Sequence, residues 1–134
     1  MFVDNFTSGA TVPLVSKSFS VPKAGLLYVT GAVSAEDDAS LGGDGRLSYN
    51  LRLDGTVLSN GLHELDYPGV GAGDSGATTA VIPVSAGNHT ISLVGNEFGT
   101  GSFITAREIS ALYVPSGSGF VPPARPAAPR LAQR

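Results

Sequence analysis

A chain of 134 residues holds about one domain, long enough to bury a core without staples. Hydrophobic residues make up 42% and charged residues 14%, the net charge is −3, and there is no cysteine. That composition excludes disulfides and thiolate metal sites and argues against a nucleic-acid-binding body.

The first ten residues, MFVDNFTSGA, contain no basic run and place an acid at Asp4, so no secretory leader is expected and the product is read as made inside a cell. No apolar run approaches the roughly 18 residues of a membrane span. A first strand is expected over 14–21, ending before Pro22, and a second over 26–35, "LLYVTGAVSA". Residues 36–45, "EDDASLGGDG", read as a long loop. The clearest strand is 46–53, "RLSYNLRL": Leu47, Tyr49, Leu51 and Leu53 point to a core, and Arg46, Ser48, Asn50 and Arg52 to water. Asp54-Gly55 tolerates the positive φ angles of a two-residue hairpin turn, "TVLS" returns from it, and Asn60-Gly61 repeats the turn signal. Short strands follow over 62–67 and 78–84, the latter carrying Pro83 and therefore set at an edge or a strand end, with a second loop over 68–76. Residues 88–94 alternate with Ile91 and Leu93 inward, and 103–114, "FITAREISALYV", form the longest strand. Seven or eight strands separated by turns predict an all-β antiparallel sandwich over 1–115. Residues 116–134, with "VPPARPAAPR", form an extended Pro-rich C-terminal arm.

Three patches resemble a known family. "FSVPKAGLLYVTGAV" (19–33) looks like the first long strand of the complement-type globular heads among the tumour-necrosis-factor-like jelly rolls. "VIPVSAGNHTISLV" (81–94) is similar to that family's pair of late strands, and "SALYVP" (110–115) to its closing strand. The resemblance implies a jelly roll that assembles as a homotrimer around its closing strands. Residues 26–33 and 110–115 should then supply the apolar interface, with Tyr28 and Tyr113 as its anchors. Similar jelly rolls occur in bacteriophage virions as capsid decoration proteins and fibre heads.

The residues that carry chemistry elsewhere are sparse. His63 and His89 are the two histidines, and no G-x-S-x-G elbow or comparable nucleophile motif accompanies them. His89 shares the face of Ile91 and Leu93 and should sit beside the core. Glu36, Asp37, Asp38 and Asp44 crowd a Gly-rich loop that could hold calcium, but their spacing is not that of an EF-hand, and a solvated acidic loop is the preferred reading. "GAGDSGA" (71–77) lacks the Lys-Ser/Thr of a phosphate loop. Asn5-Phe6-Thr7 and Asn88-His89-Thr90 match the glycosylation acceptor pattern, and with no leader expected both are read as chance matches. No cofactor or metal is expected, and catalysis ranks last.

Arg125, Arg130 and Arg134 give the arm a charge of +3, which leaves five basic against eleven acidic side chains in the body. Polyproline II is already stiff, so docking it orders less chain. Phe120, Val121 and Leu131 are its apolar anchors and the three arginines suit an acidic neighbour. The expectation is a non-catalytic structural virion protein, a trimeric capsid decoration (cement) protein partnered by itself and by a neighbour such as the major capsid protein. Neither membrane nor nucleic acid is an expected partner. The alternative is a fibre-head or lectin-like module that binds a cell-surface glycan through loop residues such as Asn60, Asp66 and Tyr67.

Overall fold

The computed structural model describes residues 11–37, 45–58, 61–69, 71–99 and 102–117. Eight strands are present: β1 (Thr11–Val21), β2 (Gly25–Asp37), β3 (Gly45–Leu53), β4 (Thr56–Val57), β5 (His63–Tyr67), β6 (Gly73–Val84), β7 (Gly87–Gly99) and β8 (Ser102–Pro115). No helix occurs among the described residues. One antiparallel sheet runs β1-β7-β3-β4 with β5 also paired to β3, and the other runs β6-β2-β8. Apart from the β3–β4 hairpin, hydrogen-bonded neighbours are non-consecutive in the chain, β5 included, which returns past β4 to pair with β3. The chain thus wraps back and forth between the two layers, as the jelly-roll expectation requires.

Strict alternation explains why the two sheets close on each other. On β2, Leu27, Val29, Val33 and Ala35 point inward at no more than 2% exposure, while Leu26 and Tyr28 point out. On β3, Leu47, Tyr49 and Leu51 are buried, and on β7, Ile91 and Leu93 meet them at 0%. Burying each such side chain fully contributes about 1.5–3 kcal/mol. The core expected from the alternation of 46–53 and 88–94 is therefore the core observed, with Leu53 half-buried at its margin.

The hairpin at Asp54-Gly55 is also as expected. Asp54 has φ 50° and Gly55 φ 82°, the pair of left-handed conformations that lets a two-residue turn follow the twist of its strands. The three prolines within strands all lie on edges: Pro13 on β1, beside a register shift between Pro13 and Val15, Pro83 on β6, and Pro115 at the end of β8.

Several boundaries differ from the sequence expectation: β1 begins at Thr11 rather than 14, β2 runs to Asp37 into the expected 36–45 loop, and two later strands are longer. Residues 73–76, expected within a loop, begin β6, because β2 continues to Asp37 and offers partners to Gly73, Asp74, Ser75 and Gly76. β7 likewise runs on past Val94 to Gly99, paired with β3 as far as Gly45. In both places the available partner strand outweighed a turn-like or mixed composition.

Candidate interaction surfaces

Seven large hydrophobic side chains stand exposed among the described residues, and they fall on two opposite faces. The first lies on the outside of β6-β2-β8. Register places Val81, Tyr28 and Leu112 in one cross-strand row and Pro83, Leu26 and Val114 in the next. Tyr28 is 47% exposed, Val81 58%, Leu112 64% and Val114 51%. The adjoining row, Thr79, Thr30 and Ser110, is polar and uncharged, and a charged side chain first appears at Glu108, opposite Ala32. This end of the sheet is therefore a flat, neutral, apolar surface.

Tyr113, the second expected anchor, is on the other side of the same sheet. It is paired with the inward-facing Leu27, packs against the core, and donates its phenolic O–H to the Lys23 carbonyl at 2.7 Å. Its ring crosses Gly25, where an added Cβ would lie 2.7 Å from Tyr113 Cε2. Just beyond it the Ser116 amide and hydroxyl both donate to the Ala24 carbonyl, at 3.0 and 2.5 Å. Tyr28 and Tyr113 are thus not one cluster: Tyr28 presents a surface and Tyr113 clasps the end of β8 to the turn before β2.

The second surface is a groove on the outside of the five-stranded sheet. Val57, Leu62 and Phe98, respectively 50%, 68% and 47% exposed, form its apolar walls. Its floor comes from outward positions of β3 and β7, including Arg52, Val94 and Asn96. Val94 and Ser48 point outward yet are only 5% exposed, which shows how far neighbouring side chains overhang them. Arg52 Nε and Asn96 Oδ1 are shielded and have no hydrogen-bond partner. The expectation that Ser48, Asn50 and Arg52 simply face water is corrected here: they are buried or half-buried in the floor. Only Arg46, with Glu64 at 4.0 Å and Asp66 at 3.9 Å, remains a solvated ion-pair residue. Sequence alternation finds the outer face of β3 but not what covers it, because β4 and the approach to β5 bring Val57 and Leu62 there from a distance.

The histidines are held by neighbours. His63 Nε2 lies 2.9 Å from Thr78 Oγ1 and its ring stacks on Tyr49 at 5.4 Å. His89 has a side chain 10% exposed, beside the core as expected. Its Nδ1 is 2.7 Å from Asp54 Oδ2 and its Nε2 2.9 Å from the Ser85 carbonyl. Since both oxygens are acceptors, the ring can satisfy both bonds only by carrying two protons. The bond to Asp54, then that to Ser85, raises the His89 pKa; the His89 bond, then the Thr90 amide donating at 2.8 Å, lowers that of Asp54. The pair staples the hairpin turn to β7.

Of the expected glycan-contacting residues, Asp66 is exposed, but Tyr67 is 0% exposed within the core, so it cannot line a surface loop. Asn60 lies outside the described residues. So do all the expected arm anchors, Phe120, Val121, Arg125, Arg130, Leu131 and Arg134, and the loop acids Asp38 and Asp44. Asp37 is described: its carboxylate is buried at 3% exposure without a hydrogen-bond partner, beside Gly45. Among the described residues no group of three metal-ligating side chains converges.

No family model and no curated protein sequence matches the chain. Among solved structures it is similar to the C-terminal domain of EclA, described as a sugar-binding protein, at 14% identity and a TM-score of 0.46, over 82% of this chain and 83% of that one.

Proposed function

We propose that this protein is a non-catalytic assembly module: a homotrimer that decorates a phage-type particle, its copies packed through the Tyr28 face and its arm reaching a neighbouring virion protein such as the major capsid protein. The observation that carries self-association is the two-row apolar surface of Val81, Tyr28, Leu112, Pro83, Leu26 and Val114. The exposed fractions of its four most exposed large side chains amount to roughly 400 Å² of apolar area, in the range that marks interaction sites. A standard interface buries about 800 Å² per partner, so this patch supplies an apolar centre and the Thr79, Thr30 and Ser110 row begins a polar rim. The favoured occupant is a second copy. The body is acidic, and two copies meeting through this uncharged surface bring no like charges together. The virion setting and threefold symmetry rest on the resemblance of residues 19–33, 81–94 and 110–115 to trimeric jelly rolls.

Light scattering of the full chain at tens of micromolar (roughly where specific contacts of this strength fill) should give a trimer. Leu112→Asp should give a folded monomer, because Leu112 is 64% exposed and makes its contacts outward. Tyr113→Phe should stay trimeric. A monomeric native chain would sink the self-association, and a stable dimer would sink the threefold arrangement. Deleting residues 120–134 should leave the melting temperature nearly unaltered while weakening attachment to the particle; unchanged attachment would show that the arm does not dock there.

A further inference from the structure

The groove on the five-stranded sheet lies on the face opposite the proposed assembly surface, and self-association does not use it. Its chemistry is mixed in a specific way. Phe98, Leu62 and Val57 offer apolar walls, one of them aromatic. Asn96 Oδ1 is without a partner, and the Asn50 carbonyl is engaged by the Leu51 amide at 2.7 Å, which leaves the Asn50 amide hydrogens to be used. The groove's cation is Arg52. Arg46, six residues away on the same strand face, has two carboxylates within 4.0 Å, whereas Arg52 makes no ion pair among the described residues and its Nε–H donates to nothing.

Each feature narrows the ligand. An aromatic and aliphatic wall packs against a C–H face. Side-chain amides call for a ligand that both donates and accepts, and a hydroxyl does so whichever way the amide is turned. A guanidinium with a free Nε–H edge pairs with a carboxylate through two parallel bonds, and a planar fork in a partly desolvated groove favours that over a hydrated point charge. On an otherwise acidic body, and among the described residues of this face, an unpaired arginine also marks a place where an anion is drawn in rather than repelled.

We propose that this groove binds an acidic saccharide, a pyranose carrying a carboxylate, with Arg52 pairing to the carboxylate, Asn96 and Asn50 meeting hydroxyls, and Phe98 covering the C–H face of the ring. Arg52 turns its Nε edge outward to do so, gaining the acceptor that it lacks within the chain.

The test is a titration of the full-length protein with trigalacturonate and, in parallel, with a neutral galactose trisaccharide, read by NMR shifts of the side-chain amides of Asn96 and Asn50. Saturable binding of the acidic sugar with a dissociation constant around millimolar or tighter is expected, at least tenfold weaker for the neutral one, a difference of about 1.4 kcal/mol. Arg52→Gln should abolish the preference for the acid, and Phe98→Ala should weaken binding of both; neither variant should alter the oligomeric state, so this result and the assembly test fail independently. Equal affinity for the two sugars overturns the role of Arg52. Absence of shifts at ten times the expected constant, or binding only by a peptide of extended acidic sequence, overturns the saccharide.

Discussion

Replacing Gly76 by alanine adds one methyl group at a point where β6 packs directly against side chains of the other sheet. Gly76 faces inward from β6, and a Cβ there would overlap the Tyr49 hydroxyl and lie 3.0 Å from Tyr49 Cζ and 3.1 Å from Leu65 Cδ2. Tyr49 is 4% exposed and its ring is already stacked on His63, so it has no open direction in which to retreat. The clash must be relieved by moving β6, an edge strand whose backbone ladder runs to β2 alone among the described residues. Overpacking of this kind typically costs about 1–3 kcal/mol. For a domain near 100 residues each kcal/mol lowers Tm by about 4–8 °C, so a fall of about 5–20 °C is expected in a calorimetric scan. The mechanism predicts its own rescue. Tyr49→Phe removes the nearest atom, and the Gly76→Ala/Tyr49→Phe double variant should recover at least half of the loss, a coupling that independent sites would not show. A Tm within about 2 °C of the parent for Gly76→Ala, or no recovery in the double variant, would refute the close approach of the sheets here.

Two further perturbations address the hairpin. Gly55→Val should destabilise the fold by about 1 kcal/mol or more through backbone strain alone, because φ is 82° and the space around the glycine is open; unchanged thermal stability would show that the turn is not of the primed kind. The His89–Asp54 pair gives stability a pH window. Asp54, depressed below 3.8, contributes above that value and loses its contribution as pH falls through the folded pKa, while His89, raised above 6.5, contributes below that value and loses it as pH rises through the folded pKa. The full effect is present from about pH 4 to 6.5, so Tm should decline above that range in the parent and be flatter in Asp54→Asn. Coincident profiles for the two would show that the pair does not act on stability.

The strands with strict alternation and a marked turn were legible in the sequence. Residues 46–53 and the Asp54-Gly55 turn have one arrangement that buries Leu47, Tyr49 and Leu51, and that arrangement is the one found. The site was legible only in part. In "HELDY" the alternation already puts Tyr67 on the inward face with Leu65 and Asp66 on the outward face with Glu64, a signal that reading Tyr67 as a loop residue passed over; what the alternation does not give is the partner strand, set by pairing to β3 in the register Gly45 to Tyr67. Tyr28 and Tyr113 illustrate the same limit: both stand in apolar runs on strands, but their faces depend on which residues of β2 and β8 are opposed. The groove escaped for a different reason. Its walls, Val57, Leu62 and Phe98, come from separate strands and connections and share no stretch of sequence that would mark them as one surface until the sheet assembles them.

The strand order has a consequence for how the molecule is made. β2, the centre of its sheet, is flanked by β6 and by β8, and its residues 25–37 find their second set of partners only in residues 102–115. A chain emerging from the ribosome can close the β3–β4 hairpin at once, but it must hold β2 half-paired until nearly the whole body has been synthesised. Topologies dominated by such distant pairings fold over about milliseconds to seconds. The last segment to arrive also sets Leu112 and Val114 beside Tyr28, and so completes the outer apolar surface. The order of synthesis thereby withholds this outer apolar surface until the sheet beneath it is finished.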